Sequence, residues 1–429
     1  MRARIVLCLT AVLVACDDPV GPVVPTATAP TLVAIAAEPD ALTISANIQR
    51  LHLPYGTIID PVFASADPAS PDFTRLVSYS RAGDAAIWTG HYLAAEAFRY
   101  GVTRSREAFQ NVRRTIIGIQ GLVDVTGTDV LARFYLPTTS PYVADITAGE
   151  QRHTRREGTI DGQPYYWWGN TSRDQYSGVF FGLGVAYDLV DDASTRRRIA
   201  RIVTRMLDFL LAHGWNVVMP DGDISTTFNG RADQQLSLLQ VGRHVNPGRF
   251  ATIYAAHRAA LAAAVPAPVT GECLDTHNSY FKFNLDHINL YNLIRLEEPL
   301  SPWLPLYMQA FMTLRGCTGD HQNAHFNMID RGVRGSDAAR EAETERLLGL
   351  WLLRPRRDYF VDLRDKYAAC PDHETDNRSC EIIPVDERVN TDFLWQRSPR
   401  QLYGGGAGHI ETAGIDYILP FWMKRWYEQ

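Results

Sequence analysis

Two aspartates in this 429-residue chain each begin a segment with the composition of a buried helix. Asp84 opens DAAIWTGHYLAAEAFRY, and Asp174 opens DQYSGVFFGL. Hydrolysis of a glycosidic bond usually takes two carboxyl groups, one protonated to release the leaving oxygen and one ionised to activate water or attack carbon. We therefore consider Asp84 and Asp174 as an acid/base pair. The alternatives are structural: Asp84 could be a helix N-cap after Gly83, and the helix dipole alone favours a first-turn carboxylate such as Asp174.

Aromatic and polar residues accompany both aspartates. Trp88 and His91 follow Asp84 by four and seven residues, so the three side chains share one helical face on which a sugar ring could rest. Ser172 and Gln175 fit a capping box at the start of the second segment. Further candidates for substrate binding surround Asp174 in sequence: Trp168, Asn170, Arg173 and Tyr176.

A polysaccharide lyase would use different groups, one to neutralise a uronate and a Tyr or His to take the neighbouring proton. His91, Asn170, Arg173 and Tyr176 could supply them. Polar residues on other apolar segments are also candidates for substrate binding, namely Arg231, Asp233, Asp286 and His287. Buried polar groups need partners, so each of these could instead belong to a satisfied core network.

Metal and nucleotide motifs are weak in this sequence. His321 and His325 have i, i+4 spacing, but no glutamate of an HExxH motif accompanies them, so we expect no metal. The glycines of residues 404–408 follow no predicted strand and precede no P-loop lysine. We expect them to form a flexible turn, and we expect no cofactor.

Alternating helical segments must position these residues. In several segments apolar residues recur at spacings of three and four residues, which predicts helices. Five pairs of such segments follow one another, and a single segment ends the chain: 84–102 with 105–123, 173–189 with 193–213, 231–244 with 248–264, 279–298 with 301–315, 322–331 with 336–353, and 408–427. Segment 173–189 is apolar nearly all round, whereas 193–213 carries an arginine face, which predicts a buried helix followed by an outer one. We predict an all-α fold, an (α/α)6 toroid of helical hairpins around a funnel. Long loops at 125–172, 215–228 and 354–405 would cover the funnel mouth, the second as a short β-hairpin.

This helix order resembles the six-hairpin (α/α)6-toroid glycosidase superfamily, which includes unsaturated glucuronyl hydrolases and the toroid part of several polysaccharide lyases. The residues that carry the resemblance are segments 84–100 and 174–183 and the C-terminal DYILPFWMKRWY. It covers most of residues 41–429 and implies a carbohydrate substrate. In the unsaturated glucuronyl hydrolases two aspartates at the starts of inner helices serve the reaction, and Asp84 and Asp174 occupy similar places.

The N-terminus has the order of a bacterial lipoprotein signal. Two arginines precede an apolar run, and the tetrapeptide LVAC at 13–16 resembles a lipobox, which implies removal of residues 1–15 and lipidation of Cys16. Residues 16–40 are rich in Pro, Ala, Thr and Val and predict a flexible tether, leaving 41–429 as one domain. The apolar run is shorter than the roughly 20 residues that a spanning helix needs. We therefore expect a cell-envelope protein, on the inner or outer membrane, held only by its lipid.

Four further cysteines predict disulfide bonds in an oxidising compartment. Cys370 and Cys380 flank a polar loop and are expected to pair, which leaves Cys273 with Cys317. A zinc site is the alternative, but no two cysteines have CxxC spacing.

The charge balance disfavours nucleic acid as a partner. Loss of Arg2 and Arg4 with the signal takes the formal net charge from −6 to −8, and the arginines are spread over several segments. The leading hypothesis is an envelope-anchored glycoside hydrolase acting on oligosaccharides or polysaccharide fragments. The alternatives are a polysaccharide lyase and a non-catalytic toroid that binds a glycan or an envelope partner.

Overall fold

The structure is a computed structural model that describes residues 36–275, 280–368 and 381–429. Over these residues the chain is mostly helical. The α-helices are α1 (Glu38–Asn47), α2 (Ala85–Thr103), α3 (Arg106–Asp124), α4 (Val143–Gly149), α5 (Arg173–Leu189), α6 (Ala193–Ala212), α7 (Ala232–Val245), α8 (Pro247–Leu261), α9 (Pro266–Leu274), α10 (Phe281–Arg295), α11 (Leu304–Thr318), α12 (Ala324–Arg334), α13 (Ala338–Trp351) and α14 (Ile415–Tyr427). The strands are β1 (Asp60–Phe63), β2 (Leu76–Ser80), β3 (Phe134–Pro137), β4 (Arg155–Ile160), β5 (Gln163–Trp168), β6 (Asn216–Val218), β7 (Ile224–Thr227), β8 (Arg357–Asp362) and β9 (Tyr403–Glu411).

The five predicted helical pairs are present as α2–α3, α5–α6, α7–α8, α10–α11 and α12–α13. Several of them begin at a side-chain cap that satisfies free backbone N–H groups. The Ser105 hydroxyl accepts from Ala108 N at 3.1 Å, and the Asp192 carboxylate accepts from Thr195 N at 2.7 Å. The helix α1 begins at Glu38, inside the range predicted as tether, and α4 and α9 were not predicted.

Buried and outer helices alternate along the chain. The helices α2, α5, α7 and α10 are buried along most of their length, whereas α3 and α6 bury one face and expose arginines on the other. The buried helices contact one another in succession: α2 packs on α5, α5 on α7, α7 on α10, α10 on α12, α12 on α14, and α14 on α2. The helix α10 also packs on α5, and aromatic rings occupy the space between helices, where His91 stacks on Trp395 with ring centroids 5.1 Å apart.

Glycines bring α2 and α5 into close contact. A Cβ atom at Gly90 of α2 would lie 2.0 Å from the carbonyl oxygen of Gly178 on α5, and one at Gly182 would lie 2.2 Å from the carbonyl oxygen of Gly90. Any larger residue would push the two backbones apart. Because Asp84 and Asp174 stand at the starts of these helices, this contact also brings the two aspartates together.

Three small sheets correct the all-α prediction. Strands β2, β1, β9 and β8 form one sheet in that order, β3, β5 and β4 form a second, and β6 with β7 forms the predicted hairpin in residues 215–228. The predicted last helix, 408–427, is wrong in its first part, since it begins only at Ile415. The glycines of 404–408 lie in β9 and do not form a turn. A Cβ at Gly405 would lie 2.3 Å from the carbonyl oxygen of Tyr359, so glycine lets β9 lie close to β8.

One of the two predicted disulfides is seen. Cys273 on α9 is bonded to Cys317 on α11. Cys370, Cys380 and the proposed lipidation site Cys16 lie outside the described residues. Within the described ranges, no helix is both long and apolar enough to cross a membrane.

Candidate functional site

A cavity of about 410 Å³ opens beside the start of α2. Its walls come from segments far apart in the chain: the end of the loop before β1, the turn before α2, the loop after α4, and the long loop between β8 and β9. Its charged or strongly polar lining residues are Asp60, Arg81, Asp84, Glu150, Arg152, His153, Asp392, Gln396 and Arg397. The two longest predicted inserts therefore contribute to its walls.

Asp84 presents its carboxyl group to this cavity. It occupies the N-cap position of α2, yet its side chain makes no capping bond, so capping does not explain an aspartate there. Its Oδ1 accepts from Gln175 Nε2 at 3.0 Å and from Arg133 Nη1 at 3.4 Å, while Oδ2 accepts from Gln396 Nε2 at 3.5 Å. The side chain is 37% exposed although protein atoms surround it closely in the cavity wall.

The environment raises the pKa of Asp84 to about 6. Loss of hydration is the largest cause, and the negative charge of Asp174 adds to it, whereas Arg133 lowers the pKa. A carboxyl group with this pKa holds a proton in about one molecule in ten at pH 7, against fewer than about one in a thousand at the ordinary pKa of an aspartate. That is the property that a general acid needs.

Gln175 connects the two aspartates. Its Oε1 accepts from the backbone N–H of Ile87 at 3.0 Å, which fixes the orientation of the amide. Its Nε2 then donates to Asp84 Oδ1 at 3.0 Å and to Asp174 Oδ2 at 3.4 Å. One nitrogen thus contacts both carboxyl groups, so the structure brings the predicted pair together.

The predicted capping box is wrong. The Ser172 hydroxyl does not cap α5; it donates to Asp174 and accepts from Arg133 Nη2 at 2.6 Å. Gln175, expected to cap the helix start, reaches across to α2. Both side chains organise the two aspartates instead of the end of their own helix.

Arg133 joins the starts of α2 and α5. Besides Asp84 and Ser172, it donates to the carbonyl oxygen of Gly83 at 2.7 Å and to that of Asn170 at 2.9 Å. The residue lies just before β3 and was missed by sequence reasoning, because no local pattern distinguishes it from other arginines. The sequence did indicate Gln175, but as part of the cap at the start of α5.

Asp174 borders a second, smaller cavity of about 140 Å³. Arg173, Arg231 and Lys282 also line it. Asp84 and Asp174 therefore face different openings, with the Gln175 amide between them.

Three carboxylates in the larger cavity contact basic side chains. Asp392 pairs with Arg397, Glu150 contacts His153 Nδ1 at 2.9 Å, and Asp60 accepts from Arg81 at 3.2 Å. Burial raises the pKa of Asp392, and Arg397 opposes that effect. The sequence analysis did not identify these residues. Glu150, His153, Asp392 and Arg397 lie in the predicted long loops, whereas Asp60 and Arg81 lie in or beside short strands that were not predicted.

The other residues predicted near the aspartates have different positions. Trp88 lines the cavity, where Phe393 lies against its ring at a centroid distance of 4.8 Å. His91 is fully buried, donates to Ile87 O at 2.9 Å, and has a pKa lowered to about 4 by burial. Tyr176 is equally buried, and its hydroxyl accepts from Leu131 N at 3.1 Å.

Trp168 and Asn170 do not line either cavity. Trp168 belongs to a buried apolar cluster with Ile59, Phe134 and Ile146. Asn170 is exposed and has a left-handed backbone with φ 54°, and its carbonyl group is bound by Arg133.

Arg231, Asp233 and Asp286 form an ion cluster at the edge of the smaller cavity. Arg231 donates to both oxygens of Asp233, at 3.2 and 2.9 Å, and to Asp286 at 2.8 Å. Both aspartates are fully buried. The neighbouring His287 lies flat on Phe326, with ring centroids 3.9 Å apart. The core-network alternative describes Asp233, Asp286 and His287, whereas Arg231 also reaches the cavity.

No metal cluster is formed by His, Cys, Asp and Glu side chains within the described ranges, and His321 and His325 are buried among aromatic rings. Comparisons with protein-family models and with curated proteins give no match for this chain.

Proposed function

We propose that this protein is a glycoside hydrolase of the (α/α)6-toroid class, anchored in the cell envelope through Cys16, with Asp84 as its general acid. The observation that carries the proposal is a carboxyl group with a pKa of about 6 at the wall of a polar cavity, joined through one amide to a second carboxyl group. The alternation of buried and outer helices, and the closed succession of contacts from α2 to α14, support the toroid class.

In the proposed reaction Asp84 donates its proton to the glycosidic oxygen as the bond to carbon breaks. Asp174 is our assignment for the ionised partner, which activates water or attacks carbon. Because Asp84 and Asp174 line different cavities, this assignment requires a substrate that reaches both openings. The Gln175 amide and Arg133 hold Asp84 Oδ1, so that Oδ2 is left to face the substrate. Asp392, which lines the same cavity as Asp84, is the competing candidate for the second role.

The lining of the cavity suits a sugar. Carboxylates and arginines offer acceptors and donors to hydroxyl groups, whereas Trp88, which is 6% exposed and packs against Phe393, adds only a small apolar surface. The lyase alternative is weaker, because His91 and Tyr176, its proposed bases, are buried and bonded to main-chain groups. No particular contact favours a non-catalytic role.

The experiment begins with the full chain and a panel of oligosaccharides and polysaccharides, with release of new reducing ends as the readout. On the substrate found, we expect Asp84→Asn and Asp174→Asn to lower kcat by about 10²- to 10⁴-fold. Asp161→Asn, at an exposed position in the β4–β5 turn, is the matched control and should leave kcat unchanged.

The pH profile tests the role of Asp84 separately. Because the acid must be protonated, kcat/KM should fall as the pH rises through about 6. Loss of activity in Asp392→Asn but not in Asp174→Asn would move the second role to Asp392. Full activity of folded Asp84→Asn, or no turnover of any sugar in the panel, would refute the proposal.

A further inference from the structure

A basic groove lies between the outer helices α3 and α6. It has a volume of about 230 Å³ and is lined by Arg113, Arg197, Arg198, Arg201, Ile116, Ile117, Ser194 and Thr195. None of these residues lines the two cavities beside Asp84 and Asp174. Arg197, Arg198 and Arg201 are neighbours on α6, and the packing of α3 against α6 brings Arg113 to them.

Most of the positive charge in this groove is not neutralised. Among the described carboxylates, none forms an ion pair with Arg113, Arg197 or Arg201, and these three side chains are exposed. Arg198 donates to the amide oxygen of Gln120, which carries no charge.

Acidic groups around the groove are engaged elsewhere. Asp192 caps α6 by accepting from Thr195 N at 2.7 Å, although Arg113 lies close enough to help lower its pKa. Asp191 pairs with Arg196 at 3.6 Å. Asp124 pairs with Arg205. The groove is thus a local site of positive potential on a chain of net charge −6.

An apolar side chain stands among these arginines. Ile117 is 52% exposed and lines the groove. A soluble polyanion would use the arginines but would gain nothing from an exposed aliphatic group. An anionic bilayer can contact both kinds of side chain, because arginines bind lipid phosphates while aliphatic side chains enter the interface.

We propose that the groove between α3 and α6 docks onto a bilayer that carries anionic phospholipid headgroups. Arg113, Arg197 and Arg201 bind lipid phosphates, and Ile117 inserts beside them. This contact orients the folded domain on the membrane, and it requires neither the catalytic proposal nor a lipid on Cys16.

The experiment measures binding to vesicles by sedimentation. The full chain carries Cys16→Ser, so that no attached lipid contributes, and the vesicles contain phosphatidylcholine either alone or mixed with phosphatidylglycerol. We expect tighter binding to the anionic vesicles, weakened by added NaCl. Arg197→Gln with Arg201→Gln should weaken this binding by about 25-fold, or about five-fold for each arginine.

The matched control removes the same charge elsewhere. Arg364→Gln with Arg425→Gln replaces two exposed arginines that pair with Asp362 and Glu38, and binding should change by less than about two-fold. Ile117→Ser keeps the charge and should still weaken binding, which a purely ionic contact would not show.

Three results would overturn the proposal. One is equal binding to the two kinds of vesicle. Another is unchanged binding of the folded Arg197→Gln, Arg201→Gln variant. The third is capture by heparin, or competition by free glycerol phosphate, without binding to the anionic vesicles, which would assign the groove to a soluble anion.

Discussion

Replacing Asp84 by asparagine should stabilise the protein at neutral pH. Asparagine has nearly the same shape, and its Oδ1 can still accept from Gln175 and Arg133. The substitution removes a carboxylate whose ionisation is disfavoured in the folded state. The residue proposed to carry the chemistry thus lowers the stability of the fold.

The size of the effect follows from the pKa of Asp84, which burial raises from 3.8 to about 6. At 1.36 kcal/mol for each unit, full ionisation would cost the folded state about 3 kcal/mol. The side chain is 37% exposed, so water screens part of this cost, and about 1–2 kcal/mol is the expected gain in Asp84→Asn above pH 7.

The sign of the pH dependence is fixed by the direction of the shift. The folded state binds the proton more tightly than the unfolded chain, so the wild type gains stability as the pH falls through about 6. The advantage of the variant is therefore largest at alkaline pH, falls to about one third at pH 4.5, and disappears below the unfolded pKa.

Urea unfolding of the wild type and Asp84→Asn at about pH 8 and about pH 4.5 measures this difference. Asp161→Asn is the control, and its stability relative to the wild type should not change between the two pH values. The reasoning is refuted if Asp84→Asn is no more stable than the wild type at pH 8, or if its advantage grows on acidification.

Two further predictions concern packing and buried charge. Gly90→Ala should destabilise the fold by about 1–3 kcal/mol and lower activity, because its Cβ would lie 2.0 Å from Gly178 O. Gly316→Ala, in a helix with open space at the Cβ, should instead stabilise by up to about 1 kcal/mol, and equal urea midpoints for the two variants would contradict the packing argument. Arg231→Met should cost about 3–5 kcal/mol near neutral pH, because two buried aspartates lose their counter-charge. That loss should shrink in acid as Asp286, whose pKa burial raises well above its usual range, takes up a proton. A loss independent of pH would show that the ion pair with Asp286 is not its cause.

The long helices were predictable because their signal is local. In α5 and α6 the spacing of apolar residues reports which face is buried, whatever the helix packs against. The strand β9 was not predictable. Gly404, Gly405, Gly406 and Gly408 have low strand propensity, and they form a strand because β8 lies close to their backbone.

The candidate site was predictable only in part. Asp84 and Asp174 could be identified from their places before apolar helices, but the same argument wrongly placed His91 and Tyr176 in an open site. Helical spacing identifies a shared face and does not say whether that face meets a cavity or a neighbouring helix. Gly178 and Gly182 lie four residues apart on one face of α5, and this spacing indicates that another backbone approaches the helix there.

The sequence by itself determined where most helices run, which of them are buried, which aspartates precede them, and that Cys273 could pair with Cys317. Tertiary structure alone decided that α2 lies against α5, that Arg133 and Gln175 join Asp84 to Asp174, and that the arginines of α3 and α6 meet in one groove. The physical reason is the distance along the chain over which each effect acts. Periodicity and capping act within a few residues of the chain, whereas a raised pKa, a cavity or a basic groove depends on side chains that only the packing of distant segments makes neighbours.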